Sequence, residues 1–131
     1  MSLFGNVPAQ TLVDAVEKHV AKMDEAKLAL LVQDGVGTMP LAALRALVAS
    51  IFDAFRERGE SSDDVAEGSH AQLERIEDGD RESIRALVAY ASENTALLKE
   101  ALIVFAQEHG PHVAELPKAL TDAISERLQV T

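Results

Sequence analysis

The sequence predicts an all-α protein, a bundle of four to five helices with one long central helix over about residues 80–109. Apolar side chains recur with the 3.6-residue period of a helix along most of the chain. Twenty-one alanines and sixteen leucines, against five aromatic residues, give a composition that favours helix over strand. Glycine and proline fall where the apolar period is interrupted, and they divide the chain into five helical segments.

The length of 131 residues is typical of one domain, here a single helical domain over residues 1–131. Residues 1–6 are interpreted as a disordered leader ahead of the first helix. Residues 57–82 are interpreted as an acidic connector that contains a short helix. A charged and then apolar signal segment does not follow Met1, and the expected location is therefore the cytoplasm.

The first segment covers about residues 8–33, with Asn6 as the predicted N-cap. Its apolar stripe is interrupted near Met23, and a kink or a break is expected there. Asp24 has the right side chain to cap the helix that follows.

The second segment, about residues 40–58, has the clearest amphipathic pattern of the chain. Gly59 lies where a left-handed C-terminal residue is expected to end the helix. The side chains predicted to face the core are Leu41, Leu44, Val48, Ile51, Phe52 and Phe55.

The third segment, about residues 62–78, is a weak helix because it has few large apolar residues and contains Gly68. A second start is predicted at Ser69, with Gln72 completing a capping box. The last segment contains Pro117, which is predicted to open a terminal helix.

The fourth segment is the long central helix, with Asp80 as its predicted N-cap. Thirty helical residues would span about 45 Å, whereas a compact domain of this size has a diameter of about 36 Å. The helix must therefore bend, at the polar residues 92–95, or extend into a second copy of the chain. Apolar side chains on several of its faces favour the second copy, and hence a homodimer.

The charge of the chain is concentrated in one stretch. Residues 57–82 hold ten acidic and three basic side chains, which is −7 of the net −10. This balance argues against a nucleic acid or an anionic membrane as the main partner. A solvated connector and a docking surface for a basic protein both fit it. The residues predicted to bind such a partner are Asp63, Asp64, Glu67 and Glu74.

One candidate metal site lies between the fourth and fifth segments. His109, His112 and Glu115 are spaced three residues apart, which places ligands on one side of a continuous helix. Gly110 and Pro111 interrupt that helix. The competing interpretation is that these side chains stabilise two helix ends.

Patterns of enzyme chemistry are weak in this sequence. It has no cysteine, no nucleophile elbow and no glycine-rich phosphate loop that follows a strand. Glu67 and His70 form one Glu-x-x-His pair, whereas di-iron bundles use two. No cofactor is expected. The favoured function is therefore a non-enzymatic helical domain for regulatory or scaffolding protein interactions, one that also self-associates. The alternative is a helical bundle that binds a small ligand or a metal, with a pocket between the first and fourth helices that Phe55 and Tyr90 line.

Overall fold

A computed structural model describes residues 7–130, with side chains through residue 128, and confirms the all-α prediction. The described residues form eight α-helices and one 3-10 helix, without a strand. The α-helices are α1 (Ala9–Ala21), α2 (Glu25–Val36), α3 (Leu41–Glu57), α4 (Ser62–Gly68), α5 (Leu73–Glu77), α6 (Arg81–Ser92), α7 (Leu97–Glu108) and α8 (Lys118–Val130), with the 3-10 helix (Gly110–Glu115) between α7 and α8.

The first predicted segment is two helices, and the break falls where the sequence predicts it. Asp24 precedes α2, and its Oδ1 accepts a hydrogen bond from the backbone N–H of Ala26 at 3.0 Å. This bond satisfies one of the N–H groups that the first turn of a helix leaves unpaired. The predicted cap Asn6 and the leader 1–6 lie outside the described residues.

Five of the six core residues predicted for α3 are buried, and the sixth is an error of the prediction. Leu41 is 43% exposed because it begins the helix and lies over the turn at Gly79 rather than over the core. Gly59 ends the helix as predicted, with a positive φ of 85°. The N–H of Gly59 donates to the carbonyl of Arg56, and the N–H of Glu60 donates to that of Phe55, which is a Schellman motif.

The acidic connector contains two short helices rather than one. Ser61 caps α4, since its Oγ accepts a hydrogen bond from the N–H of Asp64 at 3.2 Å. The predicted helix start at Ser69 is wrong. Ser69 is buried at the end of α4, and its Oγ donates to the carbonyl of Val65 at 2.8 Å. A side chain engaged with the preceding turn cannot cap the helix that follows.

The long central helix predicted over residues 80–109 is also wrong, because the chain breaks into α6 and α7. Asp80 does cap α6, with its Oδ2 accepting from the N–H of Ser83 at 3.1 Å. The break falls within the polar stretch 92–95. There the side-chain amide of Asn94 donates to the carbonyl of Tyr90 at 3.1 Å, and Ala96 takes a left-handed φ of 62°. Local side-chain bonds of this kind compete with helix propagation.

This break removes the length argument for a second copy. α6 and α7 have twelve residues each and pack against one another inside the described chain. A twelve-residue helix is about 18 Å long, which fits inside a domain of this size. A helix that protrudes from the domain therefore gives no reason to expect a homodimer.

Replacing Ala96 by glycine is expected to stabilise the protein by about 1 kcal/mol, because glycine adopts a positive φ without the steric cost that alanine bears. Urea denaturation followed by circular dichroism measures the change. The matched control is Ala49→Gly at an exposed position in the middle of α3, where glycine should cost about 1 kcal/mol. An Ala96→Gly variant less stable than the parent chain would contradict the left-handed turn between α6 and α7.

The core is a contiguous cluster of apolar side chains that centres on α7. This helix packs against α1, α3, α6 and the 3-10 helix. On the other side of α6, Arg85 Nε donates to the carbonyl of Gln33 and the Gln33 amide donates back to the carbonyl of Arg85, at 3.2 and 3.1 Å. Arg81 donates to the carbonyls of Val36 and Met39. These bonds fix α6 to the carboxyl end of α2 and satisfy carbonyls that the helix end leaves free.

The terminal helix opens after Pro117, as predicted, and buries Leu120 and Ile124 while Leu128 is half-buried. Proline suits this position because the first turn of a helix does not need its missing N–H. No helix in residues 7–130 has both the length and the apolar character required to span a membrane.

Candidate functional site

The four residues predicted to bind a partner lie on neighbouring short helices and are all exposed. Asp63, Asp64 and Glu67 belong to α4, and Glu74 belongs to α5. We call these four side chains the acidic face. In the described part of the chain, none of the four carboxylates forms an ion pair. Their negative charge is therefore not neutralised by a neighbouring arginine or lysine.

A half-buried tyrosine positions α4 on the body of the domain. The Tyr90 ring stacks on Phe55 of α3, with ring centroids 5.4 Å apart. Its other contact is Gly68 of α4, where a Cβ atom would lie 2.5 Å from Tyr90 Cζ. The absence of a side chain at Gly68 thus lets the helix backbone approach the ring, and three helices meet at this one residue.

Carboxylates surround the hydroxyl end of the same tyrosine. The Tyr90 hydroxyl donates to Glu60 Oε1 at 3.5 Å. Burial raises the pKa of Tyr90, and the negative charges of Glu60, Glu93 and Asp64 raise it further. Negative charge next to the phenol disfavours its ionised form. The acidic face therefore continues, through Asp64, into a region of negative potential around Tyr90.

Tyr90, Glu60 and Glu93 were not among the residues predicted for this site from the sequence. Glu60 belongs to the acidic stretch and could have been included on charge alone. Tyr90 lies in α6, and Glu93 follows at the carboxyl end of this helix. Both are distant in the sequence from α4, and only the packing of α6 beside α4 brings them close to it. The two rings predicted to line a pocket, Phe55 and Tyr90, stack on each other, with their centroids 5.4 Å apart.

The candidate metal residues are only partly brought together. His112 Nδ1 lies 2.8 Å from Glu115 Oε1 within the 3-10 helix. His109 instead ends α7, and its ring lies against Phe105, with centroids 6.1 Å apart. Across the residues whose side chains are described, no three His, Asp or Glu side chains form a group that could hold a metal ion. The competing helix-end interpretation fits His109, which sits at the carboxyl end of α7.

Comparison with models of known families, with curated proteins and with solved structures finds no match to this chain.

Proposed function

We propose that this chain is a non-enzymatic helical domain for protein interactions, in which the acidic face docks a basic segment of a partner protein. The observation that carries the proposal is the set of four exposed carboxylates on α4 and α5 with no ion-pair partner in the described part of the chain. The raised pKa of Tyr90 supports it, because nearby carboxylates contribute to that shift. The expected partner is a cytoplasmic protein.

Electrostatic complementarity explains why such a surface suits a basic partner. Opposite charges on two surfaces steer the encounter and raise the association rate, and salt weakens this effect. The net charge of −10 would repel nucleic acids and anionic lipid surfaces over the same range. A lysine- or arginine-rich protein segment is the partner that this charge distribution favours.

Tyr90 provides a direct probe for the test, since the chain has one tyrosine and no tryptophan. We expect a lysine- and arginine-rich peptide without aromatic residues to change the fluorescence of Tyr90 in a saturable way. The variant Asp63→Asn, Asp64→Asn, Glu67→Gln, Glu74→Gln should bind the peptide about tenfold more weakly or worse, because each exposed ion pair contributes about 0.2–1 kcal/mol.

The control variant has the same net charge as the fourfold variant above but keeps the acidic face. It carries four amide substitutions at exposed carboxylates of other helices, namely Glu17→Gln, Asp34→Asn, Glu108→Gln and Asp122→Asn. This variant should bind the peptide within about twofold of the parent chain. If both variants lose affinity equally, total charge rather than the acidic face governs binding, and the proposal fails.

Self-association forms a second part of the proposal and rests on one groove. Ile103 and Val104 of α7 remain half-exposed beside Ala54 of α3, in a groove with a volume of about 770 Å³. These three apolar side chains are the candidate contact with a second copy. The other residues that line the groove are polar or charged, namely Asp53, Arg56, Glu57, Arg58, Glu100, Gln107 and Glu108. We expect sedimentation equilibrium to give twice the protomer mass at micromolar concentration and the protomer mass for Ile103→Lys. A parent chain that stays a protomer at these concentrations would remove this part of the proposal.

A further inference from the structure

A second groove, distinct from the acidic face, lies between α1 and α8 and has a volume of about 640 Å³. Its apolar floor is formed by Ala15 of α1 with Ala123 and Leu128 of α8. Two alanines across from each other leave space that larger side chains would fill. The volume falls within the range of about 300–1,000 Å³ typical of small-molecule sites.

Three nitrogen-bearing side chains line this groove, Lys18 and His19 from α1 and Arg127 from α8. His19 and Arg127 are half-buried, whereas Lys18 is exposed. In the part of the chain that the structure describes, none of these three side chains forms an ion pair. Among the described side chains, half-buried Arg127 therefore has no acidic ion-pair partner, and arginine is well suited to bind a carboxylate.

Burial lowers the pKa of His19, and the positive charge of Arg127 lowers it further. Both effects favour the neutral imidazole, which can donate one hydrogen bond. Two acidic side chains also line the groove, Asp14 on α1 and Glu126 on α8, and both are exposed. Asp14 accepts a hydrogen bond from the Gln10 amide at 3.0 Å. Among the described residues, α7 and the 3-10 helix contribute no side chain to the groove.

We propose that this groove binds an amphiphilic carboxylate with a single hydrocarbon chain, of the size of a medium-chain fatty acid. The carboxylate lies between Arg127, His19 and Lys18, and the hydrocarbon chain lies along Ala15 and Ala123. The guanidinium pairs with the anion, and the imidazole donates to it. Burial of the chain against the two helices supplies the apolar part of the binding free energy.

Binding of the carboxylate is linked to protonation of His19, and the affinity therefore depends on pH in a characteristic way. A bound carboxylate beside His19 favours the imidazolium and so raises the pKa of His19. By reciprocity, affinity for the carboxylate must rise as the pH falls, by at most about tenfold per pH unit for one coupled proton.

The test follows the ring protons of His19 by nuclear magnetic resonance while octanoate is added, with the signal assigned by its loss in His19→Gln. We expect saturable shifts, a raised His19 pKa and tighter binding at pH 6 than at pH 8. Octylammonium, which has the same chain but a positive head, should not bind, and acetate, which has no chain, should bind much more weakly. Absence of any His19 shift at millimolar octanoate, or equal binding of octylammonium, would overturn the proposal.

Two variants locate the binding in this groove. Arg127→Gln removes the guanidinium and should weaken octanoate binding about tenfold or more, because a charge-assisted hydrogen bond is lost. Ala123→Leu fills the groove at a half-buried position and should block the hydrocarbon chain. Lys22→Gln, at the end of α1 and outside the groove, is the control and should bind octanoate like the parent chain. If Arg127→Gln and Ala123→Leu fold normally and still bind octanoate with the parent affinity, the proposal fails.

Discussion

Replacement of Gly35 by alanine is expected to destabilise the protein by about 2–3 kcal/mol, although helix propensity alone predicts a gain of about 1 kcal/mol. Gly35 is buried in the last turn of α2. A Cβ atom there would lie 2.3 Å from Pro117 Cγ and 2.9 Å from Pro117 Cδ. The proline ring is stiff and directly precedes α8, so the contact can be relieved only by moving one helix away from the other. Chemical denaturation measures the loss of free energy.

Gly37 provides the matched control two residues further along. A Cβ atom at Gly37 would lie 2.8 Å from Arg85 Nη2, which is the far end of a flexible side chain. Its backbone has an ordinary right-handed helical conformation. Gly37→Ala is therefore expected to change the stability by no more than about 0.5 kcal/mol. A Gly35→Ala variant as stable as Gly37→Ala would show that α2 does not pack against Pro117.

Replacement of Gly68 by alanine is expected to cost about 1–3 kcal/mol and also to displace Tyr90. The added Cβ atom would lie 2.5, 2.7 and 2.8 Å from Cζ, the hydroxyl oxygen and Cε1 of Tyr90. The ring cannot move the other way, since it stacks on the fully buried Phe55. Either the ring tilts or α4 shifts outward, and both change the distance between the hydroxyl and Glu60. Denaturation measures the cost, and the fluorescence of Tyr90 reports the displacement.

A double-mutant cycle with Tyr90→Leu separates the steric cause from an effect on α4 alone. Without the tyrosine ring, alanine at position 68 should stabilise the variant by about 0.5–1 kcal/mol, as expected for alanine over glycine in a helix. The sign of the Gly68→Ala effect therefore reverses between the two backgrounds. An equal loss of stability in both backgrounds would mean that Tyr90 is not the group that restricts position 68.

Local patterns in the sequence were sufficient for the elements whose boundaries depend on local chemistry. Asp24 and Asp80 cap helices as predicted, Gly59 ends α3, and α8 begins after Pro117. In each case the deciding interaction joins residues close in the chain, so a short window of sequence contains all the information. The all-α class follows in the same way from the period of the apolar residues.

The break of the predicted central helix shows where local patterns fail. Apolar periodicity runs through residues 80–109 without a glycine or proline before Gly110, and the sequence predicts one helix that either bends at residues 92–95 or extends into a second copy. The turn depends on the side chains of Ser92 and Asn94 bonding to carbonyls of the preceding turn. Such polar residues also occur on the exposed side of continuous helices, so their identity alone does not predict a break.

The site depends on contacts between residues that are distant in the chain. The four acidic residues could be found by counting charges, whereas the contact between Gly68 and Tyr90 joins α4 to α6 across an intervening helix. From the sequence alone, Gly68 is expected to weaken its helix. In the structure, its missing side chain leaves room for the ring of Tyr90. The groove between α1 and α8 likewise forms only because these two helices, the first and the last of the described residues, pack against each other.

We propose the acidic face on α4 and α5 as the surface that docks a basic protein segment. Chemical-shift mapping of the isotopically labelled chain with a lysine- and arginine-rich peptide shows whether binding occurs at this surface. We predict that the largest backbone amide changes fall in α4 and α5 and at Tyr90, and that 0.5 M salt abolishes them, because screening acts within a few ångströms at that ionic strength. Changes centred on another surface, or undiminished in the variant that lacks Asp63, Asp64, Glu67 and Glu74, would contradict it.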